Sequence, residues 1–316
     1  MNARQAALHP TDLPVAPTLD PAWVLVEEGF TLTREHELES LFAIGNGYAG
    51  SRGSLAEGSA LSSPATFLAG VFDSEAGPIS GLAPTADWTR LSATIDGQPL
   101  RLDNGHNLEH RRVLDMQQGI LWREWRHQNA GGQITRLQML RLVSLADRHL
   151  LLQCATISPE NYSGRVSIDA ALTGTVTELR GSSTTVAMAV ARQVVDSAGR
   201  WMGSPQQVVG QPSLEVRLGE TYRLDRMVAV YTSRDTGEPR EMASRQVERA
   251  IEDVDGVIAE HRDGWLARWK ASDLRIEGDP AAQRALRFAI YHLSSAANPE
   301  ARNERTSYEQ GHSQMV

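Results

Sequence analysis

The first stretch whose spacing matches a known chemistry is GNGYAG at residues 45–50, which spells G-x-G-x-x-G and is followed by Asp73. In a dinucleotide site, the third glycine opens a helix whose N-terminus receives the pyrophosphate. Here the next residues include Gly53, Gly58 and Pro64, where that helix would have to run. The sequence therefore predicts a glycine-rich turn in a β-domain rather than a nucleotide site.

A second stretch, HNLEH at residues 106–110, has the H-x-x-E-H order of an inverted zinc-protease motif. Zinc would need both histidines on one face of a helix, together with a third ligand. The stretch follows the turn signal Asn104-Gly105 and precedes RRVLDM, which has the pattern of a strand. We therefore expect a solvated loop and no metal site here.

Other residue types that often do chemistry occur in patterns that favour structural roles. Cys154 lies in the apolar run LLLQCATI and is expected to be a small buried hydrophobe. Trp122 and Trp125 should lie on opposite faces of one strand, so at most one faces the core, and the other could stack on a sugar or pack in an interface. Seven arginines could line a groove for an anion, but the wet face of a sheet, with nearby acids as partners, is favoured: Arg111, Arg112, Arg123, Arg126, Arg136, Arg141 and Arg148.

The elements that would position these residues are short strands separated by turn residues, between about Trp23 and Arg240. The segments RVSIDAAL (165–172) and LEVRLG (214–219) alternate apolar and polar residues, as half-buried strands do. Asp96-Gly97 predicts a two-residue hairpin turn, and NAGG at 129–132 predicts another hairpin. Repeated strands without intervening helices predict antiparallel sheets packed as a sandwich.

The hydrophobic period changes after Arg240. Apolar residues at steps of three, four or seven predict a helical linker with one stripe facing the rest of the protein: Val247, Ile251, Val254, Ile258, Trp265 and Trp269. Asp279-Pro280 has the form of an N-cap followed by a first-turn proline, which predicts a second helix with Leu286, Ile290 and Leu293 on one side.

Composition excludes several classes of protein. The 316 residues include 31 Lys and Arg against 39 Asp and Glu, a net charge of −8, which argues against a nucleic-acid partner. No apolar run approaches the roughly 18 residues that span a membrane. The first 21 residues contain four prolines and no apolar core. We therefore expect a flexible lead segment, no secretory signal and a cytoplasmic location.

Read in order, the chain carries a series of motifs that resembles one known family. They are Trp23 with EGF (28–30), ESLFAIGNGYAGSRGSLAEG (39–58), ATFLAGVFD (65–73), LSATIDGQPLRLD (91–103), RRVLDMQQGILWR (111–123), LRLVSLADRHLLLQ (140–153) and IEGDPAAQRALRFAIYHL (276–293). The series is similar to the N-terminal region of glycoside hydrolase family 65, which comprises maltose, trehalose and kojibiose phosphorylases and related α-glucoside hydrolases. The resemblance covers nearly all of residues 22–293.

The resemblance implies a galactose-mutarotase-like β-supersandwich, a helical linker and the first helix of an (α/α)6 barrel. On this basis we predict a flexible lead at 1–21, the supersandwich at 22–240, the helical linker at 241–272, the first barrel-type helix at 273–297 and a disordered tail at 298–316. In the family, a Glu of the barrel acts as general acid on the glycosidic oxygen while phosphate or water attacks the anomeric carbon, and no metal or organic cofactor is implied.

The barrel is the part of the family that this chain does not reach. Twelve helices with their loops need on the order of 200 residues, whereas 37 residues run from Pro280 to Val316. We therefore expect a chain truncated before the catalytic barrel and inactive alone. It would support a missing or separate barrel, homo-oligomer formation and the mouth of a site for an α-linked glucose disaccharide and phosphate. The turn TGTVT at 173–177 departs from the Asp-Gly of the family.

The polar turns and the Arg-Arg strand contain the residues that we single out for contact with carbohydrate or with an interface, although a structural role is favoured for each: Asn46, Tyr48, Arg52, Trp88, Arg111 and Asp115. Two alternatives from other classes stay open. A free-standing carbohydrate-binding module predicts an exposed aromatic platform in a groove. A mutarotase-like enzyme needs a carboxylate and a histidine inside one concave sheet face, for which the available residues are His127, His149, Glu124 and Asp147.

Without a barrel, the apolar residues of the two helical segments are expected to lack their partner and to expose apolar surface. These residues are Trp265, Trp269, Leu286, Phe288 and Ile290. The alternative is that they fold back onto the sandwich.

Overall fold

The computed structural model describes residues 11–73, 81–169, 176–178, 184–196, 198, 200 and 213–297. The strands, in chain order, are β1 (Val24–Glu28), β2 (Ile44–Gly45), β3 (Ala49–Ser51), β4 (Thr66–Asp73), β5 (Gly81–Pro84), β6 (Ser92–Ile95), β7 (Gln98–Leu100), β8 (His106–Asp115), β9 (Ile120–Gln128), β10 (Ile134–Val143), β11 (Leu150–Pro159), β12 (Gly164–Asp169), β13 (Val176–Glu178), β14 (Thr185–Val195), β15 (Ser213–Val216) and β16 (Tyr222–Thr232). The helices are α1 (Glu35–Leu41), α2 (Pro239–Ala250), α3 (Val254–Ser272) and α4 (Pro280–Ala296), and short 3₁₀ helices cover Pro21–Trp23, Leu32–Arg34 and Ile251–Asp253.

The strands form one large and two small sheets. The large sheet has eight strands in the order β1-β8-β9-β10-β11-β16-β14-β13, and the small sheets have the orders β15-β12-β6-β7 and β2-β3-β4-β5. Every pair of neighbouring strands is antiparallel. The predicted mainly β, antiparallel supersandwich is confirmed. The described residues contain four α-helices and no (α/α)6 barrel.

Both predicted hairpins are present. Asp96 (φ 47°) and Gly97 (φ 83°) join β6 to β7, and positive φ at both central positions is what this turn type requires. The longer turn between β9 and β10 is closed by Asn129, whose Oδ1 accepts a hydrogen bond from the Gln133 backbone N–H at 3.0 Å. In both places, local turn chemistry sets the register of the flanking strands.

One face of the large sheet, here called the inner face, packs against both small sheets. Near β2–β5 it contributes Leu114, Leu121 and Leu151 to one apolar cluster. Near β6, β12 and β15 it contributes Trp125, Met139 and Ile157 to another. Because successive strand residues point to opposite faces, these positions alternate with residues of the other face.

That other face, the outer face, is partly covered by the N-terminal segment and by the helices that follow the last strand. Leu13 packs on it together with Val247 of α2 and Ile258 of α3. The predicted helical stripe therefore faces the rest of the protein along α2 and the first part of α3.

The second part of α3 packs at the end of the large sheet, where its two tryptophans are buried. Trp265 and Trp269 are 0% and 4% exposed. Trp269 donates an indole hydrogen bond to the Met116 carbonyl at 2.8 Å and packs edge-on against Trp23. The expectation that both tryptophans lack a partner is wrong, because the sandwich itself supplies one.

Helix α4 begins as predicted but packs through an unexpected face. The Asp279 carboxylate accepts hydrogen bonds from the N–H groups of residues 281 and 282, as an N-cap does. Its buried side chains are polar or aromatic and lie four residues apart: Gln283, Arg287, Tyr291 and Ser295. Leu293, on the side expected to be apolar and packed, is 74% exposed, while Leu286, Phe288 and Ile290 are half-buried.

Two further expectations are corrected by the strands. HNLEH at 106–110 forms the start of β8, not a solvated loop. Of the seven arginines, Arg112, Arg123 and Arg141 are buried on the inner face and do not lie on a wet face. The lead at 1–10, residues 173–175 of the TGTVT turn and the tail at 298–316 lie outside the described residues.

Candidate functional site

Asn46 holds the glycine-rich turn against the neighbouring loop at 144–148. Its side-chain amide donates to the carbonyls of Ser144 (2.6 Å) and Arg148 (3.0 Å). Its Oδ1 accepts from the backbone N–H groups of Tyr48 (2.9 Å) and Ala49 (2.8 Å). All four bonds are internal, so Asn46 has a structural role and the stretch is the predicted turn between β2 and β3.

Tyr48, on the same turn, lies in a compact polar and aromatic cluster. Its hydroxyl donates to the Asp235 carboxylate at 2.6 Å, and burial together with that carboxylate raises the pKa of Tyr48. The ring packs edge-on against His149, which stacks on Tyr231 with 3.9 Å between ring centroids. The Arg148 guanidinium lies 5.0 Å from the Tyr48 ring centre. The structure thus joins Asn46 and Tyr48 to His149 and Arg148.

His149 has the residue type of an acid–base catalyst, but both of its ring nitrogens are engaged. Nε2 accepts from Nε of Arg148 at 3.2 Å, because a guanidinium can only donate. Nδ1 therefore carries the hydrogen and donates to the Val230 carbonyl at 2.8 Å. Burial lowers the pKa of His149. The Asp147 carboxylate accepts from the His149 backbone N–H, not from its ring, so this histidine is a fixed neutral group.

The other histidine–carboxylate pairing that a mutarotase-like site would use does not assemble. His127 lies on the inner face and contacts Asn107 Oδ1 at 3.0 Å. Glu124 is three residues away on β9, hence on the outer face, where it pairs with Arg136. The parity of β9 therefore separates the two groups, and the described residues do not form this pairing.

Arg52, Trp88 and Asp115 are likewise held by the fold. Arg52 lies 3.2 Å from Glu39 and donates to the His36 carbonyl. Trp88 is fully buried and donates to Ser51 Oγ at 3.1 Å.

Asp115 is also fully buried, at the end of β8. Its carboxylate accepts from the backbone N–H groups of Thr18 (2.7 Å) and Gln118 (3.0 Å) and from the Gln118 side chain (2.6 Å). These bonds tie the N-terminal segment to the turn between β8 and β9. Both carboxylate oxygens of Asp115 therefore accept internal hydrogen bonds, and the residue has a structural role.

Arg111 differs from the other five selected residues because it is exposed. It lies 3.0 Å from Glu28 across β1 and β8. It also lines two adjoining cavities on the outer face, of about 290 and 440 Å³, which share Arg111 and Glu124. Arg111 is therefore the most exposed of the six selected residues, with 48% of its side chain exposed against 21% for Arg52.

Sequence reasoning missed a set of buried ion pairs on the inner face. Arg112 forms a bidentate salt bridge with Glu35 of α1, with N–O distances of 2.5 and 3.1 Å. Arg123 does the same with Glu57, at 2.5 and 2.6 Å. The sequence of β9 could have predicted that Arg123 is buried. Leu121, Arg123 and Trp125 are two residues apart along the strand, so Arg123 lies on the same face as two apolar residues.

Two more buried arginines hold loop carbonyls instead of carboxylates. Arg141 donates to the Ser54 carbonyl at 2.6 Å, and Arg226 donates to the carbonyls of Trp88 and Arg90. Burial lowers the pKa of both arginines to about 10. Both arginines remain charged near neutral pH. Their charged hydrogen bonds hold the loop at Ser54 and the loop at residues 88–90 against the inner face.

Metal binding finds no support in the part of the chain that the structure describes, where no group of three suitable ligands occurs. In the H-x-x-E-H stretch, His110 faces the Gly29 carbonyl at 2.6 Å through Nδ1 and accepts from Arg123 through Nε2. Burial and the nearby Arg123 lower the pKa of His110 to about 3.

The exposed aromatic platform of a free-standing carbohydrate-binding module is not seen among the described tryptophans. Trp122 and Trp125 lie on opposite faces of β9, as predicted, but both are buried, at 5% and 3% exposure. Cys154 is fully buried, and burial raises the pKa of its thiol, as expected for a small hydrophobe in the core. Among the described helices, none combines the length and apolar character needed to cross a membrane.

Comparison with known proteins gives consistent matches along the chain. The family described as "Glycosyl hydrolase family 65, N-terminal domain" matches residues 25–200 and 176–268. A kojibiose phosphorylase of Thermoanaerobacter brockii is 28% identical, covering 88% of this chain and 42% of the relative. A kojibiose phosphorylase of Halothermothrix orenii is 30% identical (86% and 40% covered), and an α,α-trehalose phosphorylase of T. brockii is 25% identical (90% and 44%).

Among solved structures, a protein described as "Putative kojibiose phosphorylase from human microbiome" has the same fold. Its TM-score is 0.73 at 13% identity, with 87% of this chain and 42% of that chain covered. The chain thus spans about two fifths of the length of the relatives that it matches.

Proposed function

This chain belongs to the N-terminal domain family of glycosyl hydrolase family 65, and from that premise we propose that it is the non-catalytic sandwich of an α-glucoside phosphorylase or hydrolase. In this proposal it acts in carbohydrate metabolism in the cytoplasm. It supports an (α/α)6 barrel, helps to form a homo-oligomer and contributes to the mouth of a site for a disaccharide and phosphate. The chemistry resides in the barrel.

The observation that carries the proposal is the outward face of α4. The helix directs polar side chains inward, where Arg287 pairs at 2.9 Å with Asp273, the residue after α3, and lies over the Trp23 ring of the sandwich. Its opposite side exposes Leu293 and three alanines, Ala285, Ala289 and Ala296. Small and apolar residues on a helix surface allow a second helix to approach closely. Such a face suits the next helix of a barrel.

The contacts of four of the six buried carboxylates among the described residues support a non-catalytic role. Inverting glycoside cleavage needs a free acid facing the glycosidic oxygen. Glu35 and Glu57 are committed to arginines, Glu39 accepts from Ser62 and Ser63, and Asp115 is held by backbone N–H groups. These four groups are anchors of loops and helices.

The first test is an activity assay on the purified chain. We expect no glucose 1-phosphate from kojibiose, trehalose or maltose with phosphate, because the acid and the phosphate site lie elsewhere. The positive control is the T. brockii kojibiose phosphorylase under the same conditions. Turnover by the 316-residue chain alone would contradict the proposal.

The second test concerns the α4 face. A barrel polypeptide from the T. brockii enzyme, prepared without its own N-terminal part, should co-sediment with this chain. Leu293→Glu should reduce that association at least tenfold, because a charge would be buried in the helix contact. Arg284→Glu, at an exposed polar position of the same helix, is the matched control. Equal loss of association in both variants would argue against the α4 face.

A further inference from the structure

The two cavities that share Arg111 and Glu124 form one groove, which begins on the outer face of the large sheet and reaches the sheet edge beside β1 and the start of β8. Its smaller part lies between the N-terminal segment, with Leu13 and Val15, and the floor residues Val113 and Trp122. Its larger part lies beside Phe30 and Asn107. Volumes of about 290 and 440 Å³ are close to the range of roughly 300–1,000 Å³ that small-ligand sites occupy.

The two cavities are lined by four carboxylates, those of Asp12, Glu28, Glu109 and Glu124, and by the guanidinium groups of Arg111 and Arg123. Two further arginines, which do not line the cavities, pair with carboxylates of this lining. Glu28 pairs with Arg111 at 3.0 Å, and Glu109 lies 3.6 Å from Arg126. Glu124 pairs with Arg136 and also accepts from the Gln138 amide at 3.3 Å. Three of the four lining carboxylates are thus neutralised by arginines, and both lining guanidinium groups are already paired with carboxylates, Arg123 with the buried Glu57. The groove therefore favours a neutral ligand.

The polar groups are nevertheless placed to bind many hydroxyls. Each acid–base pair offers an acceptor next to a donor, which matches vicinal hydroxyl groups, since every hydroxyl both donates and accepts. The amide of Gln138 adds another donor and acceptor in the smaller part. A neutral polyol with several adjacent hydroxyls fits this lining better than an apolar molecule.

The floor of the smaller part supplies an apolar surface and an unused donor. Trp122 is 5% exposed, and its indole N–H has no hydrogen-bond partner among the described residues. A buried donor without a partner is costly, so a ligand or water that reaches it would be stabilised. The C–H groups of a pyranose ring can pack on the half-buried Val15 and Pro17 of the same lining, whereas the Trp122 ring itself is buried and contributes only its N–H group.

We infer that this groove binds a neutral di- or oligosaccharide, with one sugar ring in each of its two parts. The inference rests on the proposed function for its choice of a glucoside as ligand. The groove lies toward the Glu28 end of β1, whereas α4 packs near the Trp23 end. Sugar binding here and association through α4 are therefore separable by mutation.

The test is titration of the full chain with kojibiose and with maltoheptaose, followed by calorimetry and saturation-transfer NMR. We expect saturable binding with a Kd on the order of 1 mM, and tighter binding of the longer sugar. Arg111→Ala and Gln138→Ala should each weaken binding at least tenfold. The matched control is Arg165→Ala, which removes an exposed arginine of a cross-strand pair with Glu215 on a small sheet, outside the groove.

Unchanged thermal unfolding in the variants shows that they are folded. The inference is overturned if no sugar binds at concentrations of about 10 mM, if Arg165→Ala weakens binding as much as Arg111→Ala does, or if inorganic phosphate or Ca²⁺ binds in place of the sugars. A chain that associates with the barrel polypeptide but binds no sugar would refute this groove and leave the proposed function intact. Sugar binding without association with the barrel polypeptide would support this groove and contradict the proposed function.

Discussion

Buried arginines are the polar groups that organise the inner face of the large sheet. Arg112 and Arg123 each hold a carboxylate, and Arg141 and Arg226 hold loop carbonyls. Guanidinium groups suit this task, because their planar set of donors can bind two acceptors at once and they stay charged when buried. The arginines that fasten the loops are therefore part of the scaffold and not of a ligand site.

One prediction follows for the pair between Glu35 and Arg112, which are 0% and 1% exposed. Glu35→Ala should lower the free energy of unfolding by about 3–5 kcal/mol, because it leaves an uncompensated buried charge. Denaturant unfolding followed by circular dichroism measures this. Glu215→Ala, in the exposed pair with Arg165, should change stability by less than about 1 kcal/mol. Equal effects of the two substitutions would contradict this account.

A second prediction concerns His261, which is fully buried where α3 crosses the sheet end. Its Nδ1 accepts from the Leu145 backbone N–H at 3.1 Å, its Nε2 faces the Gly119 carbonyl at 3.2 Å, and burial lowers its pKa to about 4. The unfolded chain takes up this proton at a higher pH, near 6.5, than the folded chain does. Stability is therefore lost as the pH falls from about 6.5 to 4.

His261→Gln keeps a donor and an acceptor but cannot titrate. It should remove up to one proton from the pH dependence, a slope of about 1.4 kcal/mol per pH unit in that window. Chemical unfolding at several pH values between 4 and 7 measures it. Parallel curves for the variant and the natural chain would show that His261 does not contribute.

Helix α3 packs closely on the turn that joins β8 to β9, where Trp265 contacts Gly119. Gly119 has φ +68°, and a Cβ atom there would overlap the Trp265 indole. Trp265 in turn stacks on Tyr291 of α4, with 4.9 Å between ring centroids. A glycine at 119 thus permits the close approach that buries both helices.

Gly119→Ala should therefore be strongly destabilising, with Gly97→Ala as its matched control. Both residues have positive φ, but a Cβ atom at Gly97 meets nothing within 4 Å. Gly97→Ala should lose about 1 kcal/mol from backbone strain alone, and Gly119→Ala should lose about 1–3 kcal/mol more from overpacking. Thermal and denaturant unfolding of the two variants give the comparison. Similar losses would mean that the indole moves aside freely.

Across the whole molecule, the inner face of the large sheet is buried by the small sheets and much of its outer face is buried by helices, which explains why the helices after β16 fold with the sandwich. Its outer face contributes Leu140, Leu152 and Met227, all fully buried, to the cluster that contains α2 and the start of α3. A bare apolar sheet face of this kind promotes association. The helical segment is thus a structural part of the sandwich.

A chain that ends at Glu238 should for this reason be aggregated or strongly dye-binding. Loss of α2 to α4 uncovers the outer-face cluster, which the remaining segment around Leu13 covers only in part. Sedimentation velocity and binding of a hydrophobic dye report the effect, with a chain ending at Ala297 as the control. A monomeric, dye-silent product ending at Glu238 would contradict the role assigned to the helices.

The sequence by itself determined the antiparallel β class, the two hairpins, the N-cap of α4 and the family, because these depend on residue spacing and local turn chemistry. It also predicted correctly that the glycine motif is a turn and that Cys154 is buried. Of the six selected residues, it could not separate exposed Arg111 from the five that are more deeply held by internal contacts, because those contacts join residues as far as 187 positions apart in the chain.

Only the tertiary structure decided which polar residues are buried together. Arg123 meets Glu57, and Trp265 meets the turn at Gly119, through the stacking of separate sheets and helices. The two tryptophans of α3 were expected to be exposed. The sequence of a helix shows which residues are apolar, but it does not show which surface of the protein will cover them. The partner of a side chain is fixed by packing across the whole fold, and packing has no counterpart in local periodicity.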